Sequence, residues 1–176
     1  SLAPPIWVLA IAVSAANVGI SLLSPAIPQL RDDLMVTSDE AQLVLSAFLI
    51  MLGVGQLIAG SLSDRIGRRP VLVYGSLLFL LSGLGALFST SIEMLVAMRI
   101  FQGLGAATCM AMGRVIISDS FQRAEAGRQM STITMFQSVV PLLGFAFGGV
   151  MADLVGWRGS VGLMVVTAAI VFLGTS

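Results

Sequence analysis

Five stretches of this chain carry no charged residue: 1–30, 41–63, 70–92, 129–152 and 159–176. Crossing the roughly 30 Å hydrocarbon core of a bilayer takes about 20 apolar residues in a helix. Four of these runs meet that length, and the fifth nearly does and runs to the end of the chain. A sixth apolar stretch, 94–118, carries Arg99 and Arg114. Charged residues make up only 10% of the chain against 57% hydrophobic, with a mean hydropathy of +1.00. A surface facing water needs about a quarter of its residues charged, so the solvent that suits this chain is lipid. A lone segment inside a bilayer satisfies its backbone only as a helix. The sequence therefore predicts an all-α, polytopic membrane protein with six spans near 6–28, 41–61, 71–90, 93–117, 129–151 and 159–176.

Residues 1–30 lack the basic start of a signal peptide, and their apolar part is too long for one. A chain opening on Ser1 reads as a segment excised from a longer protein. The formal net charge is zero, which gives nucleic acid or an acidic partner no purchase. Every basic residue is Arg, and the absence of His removes the commonest general base and metal ligand. The single Cys109 excludes an intrachain disulfide and a multi-cysteine metal site, and suits a small packing residue. The expectation is no metal, no cofactor and no enzyme chemistry, since neither His nor a buried acid pair is available for proton transfer.

Orientation follows from the arginines. The 62–70 loop holds Arg65, Arg68 and Arg69, and the 118–128 loop holds Arg123 and Arg128. On the other side, 29–40 sets Arg31 against Asp32, Asp33, Asp39 and Glu40, while 152–158 has only Arg158. The basic loops are expected in the cytoplasm, and with them both ends of the segment. Six spans divide as three plus three. Such repeats are common in transporters, with the substrate site near the midplane where repeats meet. No strong identity links 1–90 with 91–176, so the repeat is expected from architecture alone.

The most informative segment is Gly60-Ser-Leu62-Ser-Asp64-Arg65-Ile-Gly67-Arg68-Arg69-Pro70. Gly60 suits a close approach of the second span to a neighbour. Gly67 allows a positive φ in the turn, and Pro70 fits the first turn of the next helix, where an N–H has no partner anyway. A simple positive-inside loop explains the arginines but not Asp64 or the spaced glycines. This segment resembles the cytoplasmic signature of the major facilitator superfamily, roughly G-x-L-x-D-R-x-G-R-R/K, which Gly60, Leu62, Asp64, Arg65, Gly67, Arg68 and Arg69 match throughout. The resemblance implies a cytoplasmic gate in which Asp64 and the arginines latch onto the other half of a transporter. Asp119, at the same end of the fourth span, is the expected partner of Arg68.

Arg99 lies about four residues inside its span. An arginine at the bilayer centre costs about 2.5–3.5 kcal/mol on insertion scales, so it is normally paired or wet; the alternative is snorkelling to the outer headgroups. Arg99, Gln102 and Gly103 share one face. Arg114 is about 60° from Arg99 around the helix, so both can face the interior, or Arg114 can serve the cytoplasmic end. The run Arg99-Ile-Phe-Gln102-Gly103-Leu-Gly105-Ala106-Ala107 resembles the superfamily's helix-4 signature, where the resemblance ties the arginine to proton coupling.

The fifth span contains Pro141, Gly144, Gly148 and Gly149. Pro141 is expected to kink the helix, and Gly144 with Gly148 forms a G-x-x-x-G surface for close packing. The segment resembles the antiporter signature of the drug-efflux branches, with Phe145 in place of the second proline. Trp157-Arg158 resembles the bicyclomycin-resistance-like drug/proton antiporters.

In the first span, Ser14, Asn17, Ser21 and Ser24 fall on one helical face, ahead of Pro25 and Pro28. Asn17 and Ser21 are expected to line a cavity; alternatively the serines bond to carbonyls one turn back. Many members of the resembled group carry a membrane-embedded acid where Ser21 stands. All nine acids of this chain fall in loops or at helix ends, so coupling falls to an interfacial acid such as Glu93 near Arg99, or to an acid in the other half. Phe48, Met51, Gln56, Met110, Met112 and Gln137 complete the cavity candidates, with the Met residues equally suited to plain packing.

Together these features imply the N-terminal half of a secondary transporter of the plasma membrane, exporting small lipophilic compounds against proton influx. Its partners are then the bilayer, a small-molecule substrate and a C-terminal six-helix half. A metabolite uptake carrier and a non-transporting membrane scaffold or receptor module are the other readings.

Overall fold

The computed structural model describes residues 5–120 and 123–176. Residues 1–4, the Phe121–Gln122 part of the expected 118–128 loop and the Arg123 side chain lie outside that description. The helices are α1 (Ile6–Ser21), α2 (Ile27–Leu34), α3 (Ser38–Ile66), α4 (Arg68–Leu87), α5 (Ile92–Ser120), α6 (Arg123–Val155) and α7 (Trp157–Thr175). Counting α1 and α2 as one interrupted span, six segments among the described residues are long and apolar enough to cross a membrane.

The boundaries have local causes. At Pro25 the first span tightens into a 3-10 turn, Ser24–Ala26, because proline cannot donate to the preceding turn. It then resumes as α2 and stops at Met35, which adopts a left-handed conformation (φ 54°). The second span starts three residues earlier than its charge-free run. Thr37 caps it: the hydroxyl accepts the Glu40 N–H at 3.3 Å, and the Glu40 carboxylate accepts the Thr37 N–H at 2.8 Å. The fifth span continues as one α-helix through Pro141.

Burial separates the helices into two kinds. In the most apolar window of each span, 67% of the first and 56% of the fourth are buried, but only 22% of the second and 17% of the fifth. The first span and α5 therefore form the centre, with α3 and α6 on the flanks and α4 packed on α7 behind them. Glycines make the central contacts possible. A Cβ on Gly103 would stand 2.5 Å from the Phe48 carbonyl oxygen, and one on Gly105 2.6 Å from the Phe79 nitrogen. Those neighbours are backbone and cannot move aside, so α5 meets α3 and α4 at a distance only glycine permits. On α6, Gly148 packs in the same way against the Leu22 backbone, and Gly144 packs against the Ser21 side chain.

Two one-residue links expose the repeat. α3 passes to α4 through Gly67 alone (φ 93°, ψ 158°), and α6 passes to α7 through Gly156 alone (φ 83°, ψ 177°). Both need a φ that side chains resist. Around them the sequence repeats as well: Gly60-x3-Asp64-x2-Gly67 recurs as Gly149-x3-Asp153-x2-Gly156. The second and fifth spans thus end alike, as a three-plus-three arrangement requires. Comparing whole halves misses so short a match.

Candidate functional site

Arg99 is 1% exposed, at the centre of the bundle. Its guanidinium donates to the Gly19 carbonyl at 2.7 Å, the Gln102 side-chain oxygen at 2.7 Å and the Val44 carbonyl at 3.3 Å. A further N–H meets the Met164 sulfur at 3.6 Å. The Phe48 ring lies beneath it, 4.1 Å from guanidinium carbon to ring centroid. Every partner is neutral. Glu93 is exposed at the start of α5 and forms no ion pair with Arg99, contrary to the sequence expectation of an acid close by. Snorkelling is excluded by the same contacts. The cradle works because Gly19 lacks a side chain: a Cβ there would stand 2.5 Å from the Phe48 ring. One glycine thus offers its carbonyl to Arg99 and makes room for the ring below it. Gln102 is fully buried, and its amide nitrogen has no partner among the described residues.

Arg114 lies on the same helix, nearer its C-terminal end, and is exposed. It donates to the Gln137 side-chain oxygen at 3.2 Å. The Gln137 amide donates to the Val13 carbonyl at 3.1 Å, and Asn17 donates back to the Gln137 carbonyl at 3.2 Å. Gln137 thereby joins α1, α5 and α6. Asn17 and Gln137 are half-buried, and Arg114 forms no ion pair among the described residues. The angle of about 60° between the two arginines is enough to place one in the core and the other on the surface.

The turn at Gly67 brings its charges to one end of the bundle. Arg68, the first residue of α4, pairs with Asp119 in the last turn of α5, each roughly half exposed. Arg69 donates to the Ser176 carbonyl at 3.4 Å. Asp64 and Arg65 are exposed and unpaired within the described residues. Gly67 takes the expected positive φ. Gly60 does not make the close approach expected of it, because a Cβ there meets nothing within 4 Å. Its neighbour is not among these helices.

The remaining candidates divide. Ser21 is 1% exposed, bonds back to the Asn17 carbonyl at 2.7 Å and presses on Gly144, so its hydroxyl faces α6. Ser14 and Ser24 also bond one turn back. Gln56 is half-buried on α3 without a hydrogen bond to another described residue. Met110 is half-buried beside the core, whereas Phe48 and Met112 are inside it. Pro141 is half-buried, and Gly149 has only Pro25 near it, at 4.0 Å. What the sequence could not show is that Gly19, Val44 and Val13 serve through their carbonyls, since backbone acceptors leave no trace in residue type. At the other membrane face, Asp153 accepts from Gln29 at 3.3 Å, while Arg158 stacks on Trp157 and donates to the Ser89 carbonyl at 2.8 Å.

The buried arginine, the glycine-thinned α5 and the charged turn at Gly67 all lie within a region that matches a known family. The family model described as Major Facilitator Superfamily matches residues 9–175. The chain belongs to the major facilitator superfamily. Its superfamily relatives include a chloramphenicol resistance protein of Pseudomonas aeruginosa, 34% identical over 148 residues, covering 81% of this chain and 34% of that protein. Multidrug resistance protein D of Escherichia coli is 33% identical over 165 residues, covering 93% of this chain and 42% of the relative. Among solved structures, a D-xylose–proton symporter superposes with a TM-score of 0.83 at 16% identity, over 97% of this chain and 46% of the symporter. That likeness establishes the fold. The chain spans between about a third and a half of the length of these superfamily members. It is a multi-pass membrane segment of a transporter family, not of an enzyme family.

Proposed function

We propose that this segment is the N-terminal half of a secondary transporter that moves small lipophilic compounds out of the cell by alternating access, driven by proton influx. The observation that carries the proposal is the polar face at membrane depth. Asn17, Gln137 and Arg114 come from three helices and leave a guanidinium exposed about 9 Å, or six residues, from the end of α5. Polar groups at that depth belong beside water or a partner rather than against acyl chains. The same face is flanked by α3 and α6, the least buried spans. A second six-helix half covering them encloses a wet path at the midplane, where transporters of this architecture bind substrate. The names of the resistance proteins among the relatives favour an outward drug pathway.

In this reading Arg99 is a fixed positive charge beside the path, and the carboxylate that takes the proton is supplied outside the membrane part of this half. Gly60, Asp64, Arg65, Gly67, Arg68, Arg69 and Asp119 form the latch on the cytoplasmic side, with both ends of the segment in the cytoplasm and the protein in the plasma membrane. Gly60, open on this half, is where a helix of the other half approaches. The test is flux in proteoliposomes made with the full-length protein. An imposed pH gradient should drive lipophilic compounds against their own gradient, and collapsing it with an ionophore should stop them. Binding without flux would instead indicate a scaffold or receptor, and movement of a metabolite inward an uptake carrier.

A further inference from the structure

Arg114, Gln137 and Asn17 also carry information about what the path accepts. Gln137 is committed: its amide nitrogen is held by Val13, its backbone carbonyl by Asn17, and its side-chain oxygen by Arg114. Arg114 is not committed. Of the five N–H groups of a guanidinium, one makes a single 3.2 Å contact, and the side chain stays exposed. No carboxylate among the described residues reaches it.

The surroundings fix which way it faces. On α6, Val140, Leu143 and Phe147 line an apolar cleft toward α7. At about 100° per residue, Thr134 and Ser138 lie on the opposite side of α6, the side of α5. Both are exposed, and each hydroxyl donates to the carbonyl one turn back, Thr134 at 2.9 Å and Ser138 at 3.0 Å. With their protons spent, these hydroxyls cannot donate to a ligand. Arg114 is therefore the strong donor exposed on this side of α6, and Met110 one turn away on α5 supplies apolar surface.

Charge balance points the same way. Arg99 and Arg114 lie inside the apolar stretch 94–118, whereas every carboxylate of the described helices stands at or near a helix end. Arg99 is solvated entirely by neutral groups, so its charge is not cancelled. A lipophilic cation entering this half meets positive charge in a low-dielectric setting. An aromatic compound with a compact anionic or electron-rich acceptor group meets a free fork of charge-assisted donors.

We propose that the exposed guanidinium of Arg114 binds the acceptor end of lipophilic organic anions and acceptor-bearing neutral compounds, and that this half selects against lipophilic cations. The inference rests on the transport reading above for its biological meaning, and the experiment separates the two. Dansyl-glycine and dansyl-cadaverine share a fluorophore and apolar body but carry a carboxylate and an ammonium respectively. Binding of each to the full-length protein in detergent is read by fluorescence. The expected result is binding of the carboxylate about tenfold or more tighter than the amine. Arg114→Gln should abolish that preference, Arg114→Lys should keep part of it, and neither should lower the melting temperature. Equal binding of the two probes, tighter binding of the amine, binding of neither, or an Arg114→Gln variant that weakens both alike would overturn the inference. Flux of a neutral lipophilic dye under a pH gradient, measured in parallel, bears on transport alone. A protein that moves the dye without telling the dansyl probes apart is a transporter lacking this selectivity. One that binds the carboxylate through Arg114 but moves nothing has the site without the transport.

Discussion

Arg99 and Arg114 sit on one helix, about 22 Å apart along its axis, and are held by opposite means. Around Arg99, three helices close to glycine contact and the guanidinium is met on every side by carbonyls, an amide, a thioether and a phenyl ring. Around Arg114, the α5–α6 side is open and one glutamine is the only partner among the described residues. The first region treats a charge as a structural part that cannot shift without unpacking its neighbours. The second offers a charge whose hydrogen-bonding capacity is mostly unspent. Segments with few buried contacts are where binding and movement are usually found in a fold, and the exposed side at Arg114 is one.

The comparison fails most visibly if the glycines are not what closes the tight region. Gly103→Leu should prevent α5 from seating against Phe48 and remove most of the folded protein, read as monodisperse yield in detergent. Gly60→Leu, which meets nothing in this half, should leave the yield intact while lowering transport. Next in size is Arg99→Lys. An ammonium keeps the charge but cannot span the acceptors from Gly19, Val44 and Gln102, and the loss of charge-assisted bonds should cost about 2–3 kcal/mol. A thermal-unfolding midpoint unchanged from wild type would show that the cradle adds little. Arg114→Gln in the same assay should change stability by about 0.5 kcal/mol or less, as for an ordinary surface change. Phe48→Leu removes the ring beneath Arg99 and should lower stability by about 2 kcal/mol from the cation–π contact and lost packing together. Phe48→Tyr should be hard to accommodate, since the ring tip already rests on Gly19. At the Gly67 end of the bundle the effect on stability is also small. Exchanging Arg68 and Asp119 for one another should alter stability by about 1 kcal/mol or less, because both are half exposed. Transport, by contrast, should fall in each single variant and recover in the exchange.

Much of the scaffold was legible because lipid is a strict solvent: charge-free runs mark spans, and each expected span is a helix. The turn at Gly67 was legible for a related reason, since a glycine between charged residues has few other uses. The α3 boundary was missed by three residues because the Thr37 cap extends the helix into charged sequence. Ser21 shows a different limit. Its place in the polar stripe of the first span is real, but which part of that stripe is covered depends on Gly144, far away in sequence. The exposure of Arg114 and the burial of Arg99 were left open for the same reason. Helical angle alone does not say where a neighbouring helix ends its coverage.

The single-glycine links at Gly67 and Gly156 set a limit on movement. One residue of extended chain spans at most about 3.5 Å, so neither link holds any slack. Two long spans, α3 and α6, are each tied head to tail to a short one, α4 or α7. Neither pair can slide lengthwise past itself by even one helical turn without unwinding. Each can only pivot, like a hinge whose pin is a glycine. Displacement of α3 or α6 along the membrane normal must then drag its short companion with it, so these four helices move as two rigid levers, one hinged at each face of the membrane.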